Sequence, residues 1–195
     1  TTNPALPARA FKVSTRLSGE DAITLSNLTA ELVGLATVDG TLTLVPAKTA
    51  GAMPKVDGQL HARAGNVKAL AEAFGSTANL PAQPLDANVS ISGQDTYTLS
   101  DLSAQLGTLA NLSGNLSVTP KPALKLAGDV TIKGPDLATT AKAFGAGGNL
   151  PRSPYSTSFT LGGKDRIELS NLNVSLPQLL EATGTLSLAP AAPHD

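Results

Sequence analysis

The chain has 195 residues and a net charge of −1, from 14 basic and 15 acidic side chains spread along its length. No Lys/Arg stripe is present, so the electrostatic footprint of a nucleic-acid binder is missing, as is a basic surface for anionic head groups. Cysteine is absent, which excludes disulfides, thiol catalysis and Cys-ligated zinc.

Apolar residues make up 41% of the chain but aromatics only 3%, so its apolar surface must be built from Leu, Val, Ile and Ala, which pack well on pleated sheet. No run approaches 18 apolar residues, and no signal peptide opens the chain. Thr-Thr-Asn-Pro at the start and Pro-Ala-Ala-Pro-His-Asp at the end read as loose boundaries, either of a mature secreted form or of a fragment of a longer array.

The first unit opens near Ala10 with Phe11, Val13, Thr15 and Leu17 alternating with Lys12, Ser14, Arg16 and Ser18, the period of a half-buried strand. Ser18–Asp21 supplies a turn in which Gly19 permits positive φ and Asp21 can bond its own backbone. A second strand carries Ile23, Leu25, Leu28, Ala30 and Leu32. Its step from Leu25 to Leu28 is odd, which predicts one extra residue, a β-bulge. Leu42 and Leu44 mark a third strand starting after Gly40, and Val56, Leu60, Ala62 and Ala64 a fourth. The period then changes. Val67, Leu70, Ala71 and Phe74 fall at helical spacing between an N-cap candidate, Asn66, and a stop, Gly75.

The stretch Gly19–Leu28, GEDAITLSNL, returns as Gly93–Leu102, GQDTYTLSDL, and as Gly163–Leu172, GKDRIELSNL, 74 and then 70 residues on. A fixed repeat means stacked copies of one unit. The turn glycine precedes the third-strand glycine (Gly40, Gly114, Gly184) by 21 residues each time, and the four extra residues of unit one fall in the Lys48–Pro54 loop. The second unit repeats the helix as Asp136–Gly145. The third stops after its third strand.

Residues 1–195 are thus expected to form one repeat domain with units 10–81, 84–151 and 154–190, the last incomplete. The predicted fold is mostly β: an elongated, twisted antiparallel sheet of eleven strands, curved into an apolar groove, with two short amphipathic helices.

Each strand has one apolar face to cover. Composition by itself favours a sealed core, because large exposed apolar patches are rare. Two helices of about nine residues, ~14 Å each, are however too short for a sheet of roughly 50 Å. An open trough could hold acyl chains, at about 0.8 kcal/mol per buried CH₂. Its expected lining is Leu25, Leu28, Leu42 and Leu60 from unit one. Unit two adds Val89, Ile91, Leu99, Leu102, Leu116, Leu126 and Val130, and unit three adds Phe159, Leu169 and Leu172. Phe74 and Phe144, on the helix stripes, are candidate lids; plain core packing is the default for such stripes.

Other motifs read as structure. The Glu20-Asp21, Asp95 and Lys164-Asp165 turns hold too few carboxylates for calcium. His61 and His194 are far apart, and nothing sets a base beside a nucleophile, so no enzyme is expected, nor any cofactor or metal. Gly145–Gly148 follows a helix rather than opening one, which is a loop and not a phosphate cradle.

The Gly-x-Leu segments (Gly40–Leu42, Gly114–Leu116, Gly184–Leu186), read as strand starts, resemble the periplasmic repeat domains of the AsmA family, relatives of TamB. So do the Leu-Ser-Asn/Asp-Leu strands and the Ala-Phe-Gly helix ends (Ala73–Gly75, Ala143–Gly145), each followed by Leu-Pro. The resemblance implies a repeating β-groove that shields lipid acyl chains between the membranes of Gram-negative bacteria. It implies a periplasmic location, membrane-anchored only as part of a longer chain. Its partners would be phospholipid or another acyl-chain lipid, with envelope proteins or a larger membrane complex besides, and no nucleic acid. The rival expectation is a structural or scaffolding subunit of an envelope assembly whose apolar face is sealed as a core.

Overall fold

The computed structural model describes residues 9–49, 51–120, 124–163 and 167–188. Eleven strands form one open sheet in sequence order: β1 Phe11–Ser18, β2 Ile23–Leu32, β3 Ala36–Val45, β4 Lys55–Ala64, β5 Leu85–Gln94, β6 Thr96–Leu106, β7 Ala110–Thr119, β8 Lys125–Gly134, β9 Tyr155–Gly162, β10 Ile167–Leu176 and β11 Leu180–Leu188. Every pairing is antiparallel. Two helices, α1 Val67–Ala73 and α2 Leu137–Ala143, follow β4 and β8. The curved antiparallel meander expected from the repeats is the observed fold.

The repeated Leu-Ser-Asn/Asp-Leu segment is a bulge in all three units. Against β3, β2 spends three residues (Leu25 to Leu28) where its partner spends two (Leu42 to Gly40), and β6 and β10 slip in the same way. The neighbours on the other side, β1, β5 and β9, register the same extra residue. At each bulge one residue is left-handed: Asn27 at φ 52°, Asp101 at 53° and Asn171 at 51°. Asn and Asp tolerate that region better than other non-glycine residues, which accounts for the residue type the three copies share. Bulges add local twist and bend the strand, so one every fourth strand curves the sheet as a whole.

The third-strand glycines differ from expectation. Gly40, Gly114 and Gly184 lie inside their strands, which begin four residues earlier at Ala36, Ala110 and Leu180. They sit there because the neighbouring strand repeats the motif in reverse. Gly40 faces Leu60 while Leu42 faces Gly58, and Gly114 faces Val130 while Leu116 faces Gly128. A Cβ on Gly40 would run into the Gln59 carbonyl oxygen and stand 3.0 Å from Leu60 Cδ2; one on Gly58 would meet the Thr41 carbonyl and Leu42 Cδ1, the latter at 3.0 Å. Each Leu thus packs over the glycine opposite.

The helices have seven residues each, shorter than the sequence suggests. Asn66 caps α1, its Oδ1 accepting from the Ala69 N–H at 3.1 Å. Asp136 caps α2 through the Thr139 N–H at 3.0 Å and the Thr139 hydroxyl at 2.9 Å. Both helices end on left-handed glycines, Gly75 at φ 77° and Gly145 at φ 80°; their N–H groups donate to the Glu72 and Lys142 carbonyls, and the next residues, Ser76 and Ala146, donate back to Ala71 and Ala141. The Asn79 side chain then donates to the Phe144 carbonyl at 3.1 Å, tying the loop after α1 to the end of α2.

Asp21 makes no described hydrogen bond to its own turn, and Asp95 takes a different role. Asp95 Oδ1 accepts from the Met53 N–H at 3.5 Å, Gln94 donates to the Met53 carbonyl at 3.1 Å, and Tyr97 OH donates to the Pro54 carbonyl at 3.0 Å. The inserted loop of unit one is therefore held by the turn of unit two. The Lys164-Asp165 turn and His194 lie outside the described residues.

Candidate functional site: the apolar face of the sheet

The register converts strand alternation into continuous rows that cross the whole sheet. One row runs Leu17, Leu25, Leu42, Gly58, Ile91, Leu99, Leu116, Gly128, Leu161, Leu169, Leu186, with each residue directly opposite the next. A second contains Leu28, Gly40, Leu60 and Val89, then Leu102, Gly114, Val130 and Phe159, then Leu172 and Gly184; its joins at β5–β6 and β9–β10 are the bulges. A third runs Val13, Ala30, Val38, Ala62, Ala87, Ala104, Leu112, Ile132, Thr157, Val174, Ala182. These three rows contain no ionisable side chain.

All fourteen lining candidates fall on this face. Leu25, Leu42, Ile91, Leu99, Leu116 and Leu169 share the first row, and Leu28, Leu60, Val89, Leu102, Val130, Phe159 and Leu172 share the second. Leu126 lies one row further out, beside Val118 and in line with Tyr97, Val56, Leu44 and Ile23. Sequence reading left Leu17, Leu161 and Leu186 off the lining. Their pairing with Leu25 and Leu169, the residues that open the bulges of β2 and β10, is what places them in the row.

Among the described residues no second layer seals the face. Among the described residues no side chain is fully buried, and the buried apolar ones are only Ala64, Leu109, Val130 and Leu176. The leucines of the first row are partly buried in the middle of the sheet, rising to 64% exposure at Leu17 and 46% at Leu186 on its two edges. The chain exposes 12758 Å², whereas a compact protein of 19.7 kDa would expose roughly 8,600 Å².

The helices close one rim only. Thr140 Oγ1 donates to the Leu109 carbonyl in the β6–β7 turn at 3.0 Å, and Tyr155 OH reaches the same carbonyl at 3.4 Å, so α2 is rooted at that rim. Leu70 and Phe74 of α1 stand opposite Phe11, Leu32, Ala36 and Val38 around a cavity of about 630 Å³. That size lies within the usual range of ligand sites, about 300–1,000 Å³. Arg9 and Glu31 stand on its wall. Phe74 is 48% exposed and Phe144 41%, so neither is packed away as core.

The outer face is polar. Arg63 bonds Asp39 at 2.6 Å, His61 bonds Asp86 at 2.9 Å, Ser90 donates to Asp101 at 3.2 Å, and Thr160 donates to Asp129 at 2.7 Å. Among the described residues, no group of three or more His, Cys, Asp or Glu side chains is placed to hold a metal ion. None of the helices there is long and apolar enough to cross a membrane. What the apolar face offers chemically is removal of hydrocarbon from water.

No protein-family model, curated protein or solved structure matches the chain.

Proposed function

We propose that the chain is a non-enzymatic lipid-binding or lipid-transfer module of the Gram-negative envelope, which lays acyl chains along the inner face of its sheet. The observation that carries this reading is the row from Leu17 to Leu186, continuous over eleven strands, uncharged, and only partly buried along its length. At ~4.8 Å per strand it is roughly 50 Å long, several times an acyl chain, which spans half of a ~30 Å bilayer core. Each buried CH₂ contributes about 0.8 kcal/mol, so hydrocarbon binds there without a specific polar contact. The likeness of the repeated motifs to the AsmA family supports the same reading and the periplasmic setting. The scaffolding alternative asks for a sealed face, and the exposure of these leucines weighs against it.

Detergent-free protein incubated with phosphatidylethanolamine/phosphatidylglycerol vesicles, re-isolated and weighed by native mass spectrometry should carry whole-lipid mass increments. Leu126→Lys should keep the circular-dichroism spectrum and lose most of that uptake, since it charges a half-exposed face. A clean apo mass for the parent protein contradicts the proposal. Destabilisation of Leu126→Lys by several kcal/mol would instead mark a sealed core.

A further inference from the structure

We propose that α1 is the movable lid of a discrete acyl-chain site, the cavity of about 630 Å³ beneath it, whereas α2 is a fixed brace. The inference rests on the lipid reading above. Two copies of one element are fastened differently. Each helix starts from the same backbone bond, the Val67 N–H to the Gln83 carbonyl and the Leu137 N–H to the Ser153 carbonyl, both at 2.9 Å. The turns between second and third strands match as well, closed by Leu35 N–H on the Leu32 carbonyl and Leu109 N–H on the Leu106 carbonyl, again at 2.9 Å.

In unit two the helix is bolted to its turn. Thr140 and Tyr155 both donate to the Leu109 carbonyl, and Thr140 and Leu109 are buried. Gly134, opposite Tyr155, makes the room: a Cβ there would run into the Tyr155 ring and the Leu109 carbonyl oxygen. In unit one all three positions change. Leu70 holds the place of Thr140, Leu85 that of Tyr155 and Ala64 that of Gly134, with Ala64 opposite Leu85. Neither leucine side chain has a donor for the Leu35 carbonyl, and α1 buries no residue.

What unit one has instead is the cavity. Leu70 and Phe74 form its roof, while Ala30 and Val38 opposite them belong to the third row, so hydrocarbon lying along that row runs in beneath α1. Apolar contact has no fixed direction, so this roof can rise and settle around a chain without losing a side-chain hydrogen bond. Lifting α2 breaks two and leaves a buried carbonyl unpaired. The Val67 bond, and the Asn79 bond to the Phe144 carbonyl, lie at the two ends of α1 and act as its pivots. Segments that move to admit a ligand are drawn from the least stable parts of a fold, and α1 is the looser of the two copies.

Native-state hydrogen exchange at one pH reads the helices separately through the matched amides of Phe74 and Phe144, each bonded to the preceding turn of its own helix. In lipid-free protein Phe74 should be about tenfold less protected than Phe144, the effect of the two bonds that root α2. Thr140→Val should lower protection at Phe144 about fivefold and leave Phe74 unchanged. Tyr155→Phe, which loses the longer bond, should do the same to a smaller extent. Loading from phosphatidylethanolamine/phosphatidylglycerol vesicles, confirmed by native mass spectrometry, should raise protection at Phe74 and leave Phe144 as it was. Equal protection of the two amides in lipid-free protein, or no change at Phe144 in either variant, overturns the proposal. Lipid uptake that protects both amides equally, or neither, overturns the lid alone. A protein that takes up no lipid overturns the acyl-chain site together with the function proposed above.

Discussion

Asn27, Asp101 and Asn171 hold a left-handed conformation inside long strands, where an ordinary L-residue would be strained. Of the three, Asn27 has no described side-chain hydrogen bond, so its role is the backbone itself. Asn27→Ala should therefore lower stability by roughly 1–2 kcal/mol, the cost of a Cβ in that region without a tolerant side chain. Asn27→Gly should not, and urea unfolding of the two variants checks it. The broken alternation between Leu25 and Leu28 made the bulge legible in the sequence. The role of Gly40 was not legible. A lone Gly-x-Leu reads as a strand start, and only the pairing of Gly40 with Leu60 and of Leu42 with Gly58 shows that each glycine makes room for the leucine opposite.

At the scale of elements, the two helices differ in one informative way. α1 is capped by Asn66, which does not titrate, and α2 by Asp136. The Thr139 N–H, and then the Thr139 hydroxyl, hold the Asp136 carboxyl below its ordinary value. Because the folded value is the lower one, the cap's contribution is fully present above the ordinary carboxylate pKa and is lost as pH falls through the depressed value. Acidification should thus lower the protection against hydrogen exchange, relative to the intrinsic rate at each pH, at the α2 amide of Thr139 more than at the α1 amide of Ala69, and Asp136→Asn should abolish the difference. The caps and stops were legible because Asn, Asp and Gly have local reasons to be there. Where α1 docks was not. A helical stripe says which side of a helix is apolar, whereas the cavity with Phe11 and Val38 depends on how the sheet curves back toward it.

At the scale of the molecule, the chain keeps in a single layer what most proteins of its size fold into two. The repeats made strand number, order and direction readable, since each unit supplies the same turn, bulge and strand lengths. Whether the apolar face was open could not be read from composition, which by itself favours a sealed core. It follows from the shortness of the helices and from a sheet whose strands all lie in one row. The central claim is that hydrocarbon occupies that face. A photoreactive residue placed at Leu99, in the middle of the first row, should cross-link lipid when the protein is irradiated with vesicles of phosphatidylethanolamine and phosphatidylglycerol. The same group at Ser103, exposed on the outer face of the same strand, should not. Lipid adducts at Leu99 alone are the predicted result; no adduct at Leu99, or equal adducts at both positions, would contradict it.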